Sequence, residues 1–188
     1  AMYTIPRRST ISMASTALGS GGTIYISRAS SSFTHTVTYS FGNTSGTIAT
    51  KTASTALGWT PPLTLANQIP NNTTGTCTLT CYTYNGDTLV GTSTTTVTLS
   101  VPDSVIPTTT GFSALHILGP VPASWGIYVQ NKSSVQLNIA GATGAYGSAI
   151  TAYSITGGGY SGTSSSLTTG VLKTAGTITF TGKVKDSR

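Results

Sequence analysis

The segment Phe33–Phe41, FTHTVTYSF, constrains the fold more than any other stretch of the chain. Phe33, His35, Val37, Tyr39 and Phe41 fall on one side of an extended backbone, and Thr34, Thr36, Thr38 and Ser40 on the other. A period of two is what a half-buried antiparallel strand needs, because successive side chains point to opposite faces. Similar segments recur between Gly, Ser and Asn clusters, so strands are expected near Ser9–Ala14, Thr23–Arg28, Phe33–Phe41, Gly46–Ala53, Thr76–Tyr84 and Thr88–Val101. Short strands at such spacing predict a sandwich or barrel. Asn85-Gly86 between the last two predicts a hairpin, since a turn with positive φ at both central positions favours that pair.

The residues opposite the apolar ones decide what surface such strands present. Ser and Thr make up about a third of the chain, charged residues only 6%, and the acids are Asp87, Asp103 and Asp186, with no Glu. Thr suits strands because its branched Cβ fits a pleated surface. Helices would normally carry the Glu and Lys that are scarce here. The expected fold class is all-β. The net charge of +6 reflects few acids rather than a basic face: the nine Lys and Arg are scattered, and only Lys183, Lys185 and Arg188 lie close together. Nucleic-acid binders concentrate such residues with stacking aromatics, so no nucleic-acid partner is expected, although mild attraction to anionic polymers fits the charge. No apolar run approaches the roughly 18 residues of a membrane span, and the start AMYTIPRRST lacks the apolar centre of a signal peptide.

The second half repeats the plan of the first. Val135, Leu137 and Ile139 alternate within SSVQLNIAG, and GSAITAYSITGG overlays the His35 segment with Tyr153 on Tyr39 and Ile155 on Phe41. TAGTITFTGKVKDSR overlays TTGTCTLTCYTYNGD, with Gly176 on Gly75, Ile178 on Cys77, Phe180 on Leu79 and Asp186 on Asn85. This self-similarity predicts two tandem modules, residues 1–101 and 108–188, joined by VPDSVIPTTT (101–110), whose Pro102 and Pro107 interrupt pairing. The first module runs past its Asn-Gly turn into a strand ending with Val97, Leu99 and Val101. The second stops at Arg188, where that turn would begin, so its last strand is expected to be missing and an open sheet edge to invite strand-mediated self-association.

Reactive residues offer little chemistry. Four residues of strand separate the Cα atoms of Cys77 and Cys81 by about 13 Å, and a disulfide tolerates at most about 7 Å. Both thiols are therefore expected reduced, in the core beside Leu79. No His or second Cys pair stands at metal-ligand spacing. Gly157–Gly162, GGGYSG, fits a dinucleotide fingerprint only formally, because no helix follows and the next acid is Asp186. His35 lies in an alternating strand and His116 in the apolar run FSALHILG, so both read as packing. No G-x-S-x-G elbow accompanies them, and a catalytic base needs a positioned partner. Three Asp without Glu are a poor source for a glycosidase carboxylate pair. No catalytic residue, metal or cofactor is expected, and the chain reads as no enzyme. Sequons at Asn43, Asn71, Asn72 and Asn131 follow from the abundance of Ser and Thr.

Aromatic residues are the remaining candidates. Trp59 and Trp125 read as core, the alternative being a ring stacked on a sugar. Tyr82 and Tyr84 share the outward face of a strand that ends at the Asn85-Gly86 turn, with Tyr160 in a comparable region of the second half. Two such rings are either a cross-strand pair or a contact surface, and the three tyrosines are the binding candidates.

The second half, through YVQNKSS, GAYGSAITAYSITGGG and GTITFTGKVKDSR, resembles a recurrent module of phage tail and minor structural proteins of Gram-positive hosts. The likeness covers residues 124–188 well, and residues 1–101 only through internal similarity. It implies immunoglobulin-like folds acting as spacers or host-surface binders, and brings no catalytic residues. The resulting expectation is a non-catalytic structural or adhesive segment of a phage tail or surface fibre. Its partners would be other tail or fibre components and a bacterial cell-surface glycan, and its location the virion tail or an extracellular surface. The alternative is a carbohydrate-binding module attached to a cell-wall-active enzyme.

Overall fold

The alternating segments of the first half are strands. A computed structural model describes residues 7–118 and 127–188 and divides the chain into two compact units, Ala1–Ser104 and Val105–Arg188. Both are all-β, with only short 3-10 turns such as Leu63–Gln68 and Ala145–Gly147 among the described residues.

Unit 1 holds β1 (Thr10–Met13), β2 (Thr16–Ala17), β3 (Gly22–Ser27), β4 (Phe33–Phe41), β5 (Thr44–Thr52), β6 (Ala56–Trp59), β7 (Thr74–Asn85) and β8 (Thr88–Ser100). They form a three-stranded sheet, β1-β3-β6, and a five-stranded sheet, β2-β8-β7-β4-β5. All pairings are antiparallel except β2 with β8, where the chain crosses from the small sheet to the edge of the large one. Ile11, Ile24 and Ile26 from one sheet are buried, as are Phe33, Val37, Phe41, Leu79, Val97 and Leu99 from the other. Those are the alternating apolar positions read from the sequence, so register is fixed by burial, and a slip of one residue would expose the whole set.

The hairpin between β7 and β8 forms one residue later than expected. Asn85 pairs with Thr88, so the turn residues are Gly86 and Asp87. Of these only Gly86, at φ +59, takes a positive φ, as in a turn with glycine at its first central position. β2 and β6 lack an alternating signal in the sequence: β2 is two residues long, and β6 lies among Gly and Pro.

Unit 2 holds β9 (Gly111–Leu118), β10 (Ser134–Ala140), β11 (Ile150–Gly157), β12 (Tyr160–Gly162), β13 (Ser166–Thr168) and β14 (Thr181–Asp186), in sheets β13-β10-β9 and β12-β11-β14. Its core is small: Val135, Leu137, Ile139, Ile155 and Leu172, with Tyr153, Tyr160, Ile178, Phe180 and Val184 packed on it.

Strand register in this unit differs from that of unit 1. The overlay of the halves would set Tyr153 opposite Phe180, as Tyr39 stands opposite Leu79. Instead Tyr153 lies opposite Val184, four residues further along β14. Pairing stops at the glycine turn after β11. Gly158 and Gly159 have φ of +57 and +82, and a Cβ on Gly157 would lie 2.2 Å from the Thr179 carbonyl oxygen. The partner strand therefore ends opposite Phe180. Residues 174–180 alternate without pairing, and only Thr181–Asp186 is strand.

The apolar run FSALHILG is a surface strand. This run lies in β9, at the edge of its sheet, with Phe112, Leu115 and Ile117 exposed and His116 only half-buried against Tyr128.

A polar lock closes unit 2. Asp186, 3% exposed, accepts from the backbone N–H of Ala145 at 3.2 Å and of Arg188 at 3.1 Å. The Arg188 guanidinium donates to the carbonyls of Ala145 and Tyr146. GAYG and KDSR, far apart in sequence, are thus one structural feature.

Candidate functional site

The outer face of the large sheet in unit 1 is a net of hydroxyls. Strand register sets Thr36, Tyr82 and Thr92 in one row, then Thr38, Thr80 and Thr94, then Ser40, Thr78 and Thr96. Adjacent strands lie about 4.8 Å apart and alternate residues about 6.7 Å apart along each strand. The net is half-buried to exposed throughout, because the residues between its members point into the core. Neither β4, β7 nor β8 contains a charged residue. Among the described residues the hydroxyls of Thr38, Thr78, Thr80, Thr94 and Thr96 have no hydrogen-bond partner.

Tyr82 and Tyr84 stand at one end of this net, each half-buried and on the outward face. Thr36 and Thr92 flank Tyr82, while Thr34 and Leu89 flank Tyr84. Neither ring is a cross-strand aromatic partner of the other. Beside them is a feature the sequence reading missed. The Lys51 ammonium lies 5.1 Å from the centre of the Tyr84 ring and 2.5 Å from an Asp87 carboxylate oxygen.

A bulge aims Lys51 there. Thr50 and Lys51 together oppose Thr36, Lys51 takes φ +42, and its N–H donates to the Thr36 hydroxyl at 3.1 Å. Positive φ in a long side chain at an irregular strand is a feature worth a functional question. The hydrogen bond from Lys51 and its charge hold the Asp87 carboxyl below its ordinary range. Asp87 is fully exposed, so the pair positions the ammonium more than it stabilises the fold. Lys51 is the only lysine before Lys132, and that isolation is the signal the sequence offered.

A second polar group is sealed inside the same unit. Ser9, His35 and Thr83 have no exposed surface. The Ser9 hydroxyl lies 2.8 Å from His35 Nε2, and the Ser9 N–H donates to the Thr83 hydroxyl at 3.0 Å. A Ser–His contact is the geometry of an activated nucleophile, but among the described residues no carboxylate stands behind the imidazole, and both side chains are fully buried. Burial, and then the nearby Arg28 charge, lower the His35 pKa, against the opposing effect of the Thr52 backbone. Cys77 and Cys81 are free and buried on the same inner face. Burial pushes the Cys77 thiol up to about 11 and raises Cys81 as well, which suppresses thiolate chemistry.

The other candidates are dispersed. Tyr160 belongs to unit 2, packs on its core with Phe180 at 6.5 Å, and donates its hydroxyl to the Val171 carbonyl at 3.2 Å. Trp59 is half-buried, with its ring centre 5.1 Å from that of Tyr39. Trp125 lies outside the described residues. Unit 2 also has an apolar cleft of about 310 Å³ whose walls include Tyr128, Val135, Leu137, Leu172, Ile178 and Phe180. Among the described residues no cluster of His, Cys, Asp or Glu could hold a metal ion, and no helix is long and apolar enough to cross a membrane.

No curated protein matches the sequence. A family model does, over its whole length: residues 1–188 match the family described as siphovirus protein of unknown function (DUF859). With strands throughout and a phage family spanning both units, the chain belongs to this siphovirus family.

Proposed function

We propose that the chain is a non-catalytic structural segment of a siphovirus tail or fibre, made of two immunoglobulin-like modules that set a distance and touch a surface. The observation that carries this reading is how the reactive groups are disposed. Ser9, His35 and both thiols are sealed in the core, while the exposed outer sheet carries hydroxyls and two tyrosine rings. Membership of a siphovirus family supports a place in the particle. Unit 2 supplies a route to partners: β9 is an edge strand with exposed apolar side chains, a surface that favours pairing with further tail components or a second copy. Immunogold labelling of intact particles with an antibody against unit 1 tests the proposal. Label on the tail is the expected result, and protein found only free in the lysate would overturn it.

The half-exposed Tyr82 and Tyr84 on a hydroxyl face also favour a second reading, a carbohydrate-binding module attached to a cell-wall-active enzyme. That reading requires glycan binding without incorporation into particles.

A further inference from the structure

We infer that the outer face of the five-stranded sheet binds an uncharged polysaccharide, with a sugar ring on Tyr82 or Tyr84 and the polymer running over the threonine rows. The inference rests on the surface-contact reading above and gives it a site and a ligand class.

Three observations converge on it. First, hydroxyls from three adjacent strands form a regular net, and five of them have no protein partner among the described residues. A hydroxyl can both donate and accept, as sugar hydroxyls do, so such a net matches a polyol better than an apolar or ionic surface. Second, the rings of Tyr82 and Tyr84 stand at the end of the net and are partly open to solvent. An aromatic face offers its π-cloud to the C–H face of a pyranose while the phenol remains free for a hydrogen bond.

Third, charge selects the occupant. β4, β7 and β8 carry none, and the neighbouring Lys51 and Asp87 neutralise each other. A polyanion would find no uncompensated cation on this face, although the chain as a whole carries +6. The Lys51–Asp87 pair gives the tyrosine end one donor group and one acceptor group side by side, a pairing suited to a vicinal diol.

Affinity electrophoresis of the full chain tests the inference, using gels that contain dextran, galactan or methylcellulose and control gels with heparin or polyphosphate. Retardation by at least one neutral polymer is expected. Tyr82→Ala/Tyr84→Ala should weaken it by about tenfold or more, a loss within the range of a ring contact. Tyr82→Phe/Tyr84→Phe, which keeps the rings, should retain most of it. Thr94→Lys lies on the exposed net away from the core and should weaken binding with the melting temperature unchanged, so the outcome does not depend on the tyrosine variants folding well. No retardation by any neutral polymer, retardation by polyanions alone, or equal binding by the double alanine and Thr94→Lys variants would each overturn the site. If particles are labelled while these variants bind as wild type, the site fails and the tail reading stands. Unlabelled particles with tyrosine-dependent glycan binding would instead keep the site and remove the tail reading.

Discussion

His35 shows how a residue type associated with chemistry is used for packing here. It occupies an inward position of β4, where alternation calls for an apolar side chain, and Ser9 meets its Nε2. Among the described residues Nδ1 makes no well-formed hydrogen bond, and the Thr52 backbone only partly offsets burial, so a charged ring would be poorly accommodated. Because the folded pKa is lowered, the unfolded chain takes up a proton first as pH falls. Stability from neutral His35 is complete above about pH 6.5 and declines as pH drops from there towards the folded value. Melting of unit 1 should therefore fall between pH 7 and 5, and His35→Gln should flatten that slope; an unchanged slope would mean other groups cause it. Asp186 makes the opposite case, a polar side chain kept inside by backbone donors. Removing it takes away the carboxyl oxygens that accept from the N–H groups of Ala145 and Arg188. Asp186→Ala should cost about 1–3 kcal/mol, the scale of taking a buried acceptor from its donors, read from denaturant unfolding of unit 2. Neither role was legible in sequence. Ser9 lies 26 residues from His35 and Ala145 lies 41 from Asp186, and local pattern carries no information on such partners.

At the scale of strands, what could be read depended on whether burial or pairing decides the element. β4 matches its expected bounds at both ends because Phe33, Val37 and Phe41 are core residues, and the outward threonines of β7 and β8 follow from the same rule. The tyrosine strip was visible for that reason, but the Lys51 clamp was not, since a bulge changes the count of residues between strands. Where alternation had no partner it misled, as in residues 174–180, which keep the pattern of a strand without its hydrogen bonds. β9 failed in the other direction. Its run of Phe112, Leu115 and Ile117 is apolar as a core would be, yet the strand is an edge with those side chains exposed. A long apolar edge is a template for another strand. Sedimentation velocity should accordingly show association that rises with concentration, and Leu115→Lys/Ile117→Lys should abolish it without lowering the melting temperature. A wild type that stays monomeric throughout would remove β9 as a contact.

At the scale of the molecule, the two units differ in how much apolar surface they bury. Fifteen buried hydrophobic residues lie in unit 1 and five in unit 2 among the described residues, and small cores give marginal domains because area buried falls with size. Unit 2 depends correspondingly more on polar closure by Asp186 and Arg188, and an apolar cleft reaches its core residues Val135, Leu137 and Leu172. Calorimetry should therefore resolve two transitions. The lower belongs to residues 105–188, and Asp186→Ala should move it alone; the upper belongs to residues 1–104, and Leu79→Ala should lower it by about 2–5 kcal/mol of stability through the cavity left behind. A single transition shifted by both substitutions would show that the units unfold as one, and stability would then have to be assigned to the chain as a whole. If two transitions are found, a robust unit presents the hydroxyl face while a weaker one, with an open edge and a cleft into its core, remains adaptable to a partner strand.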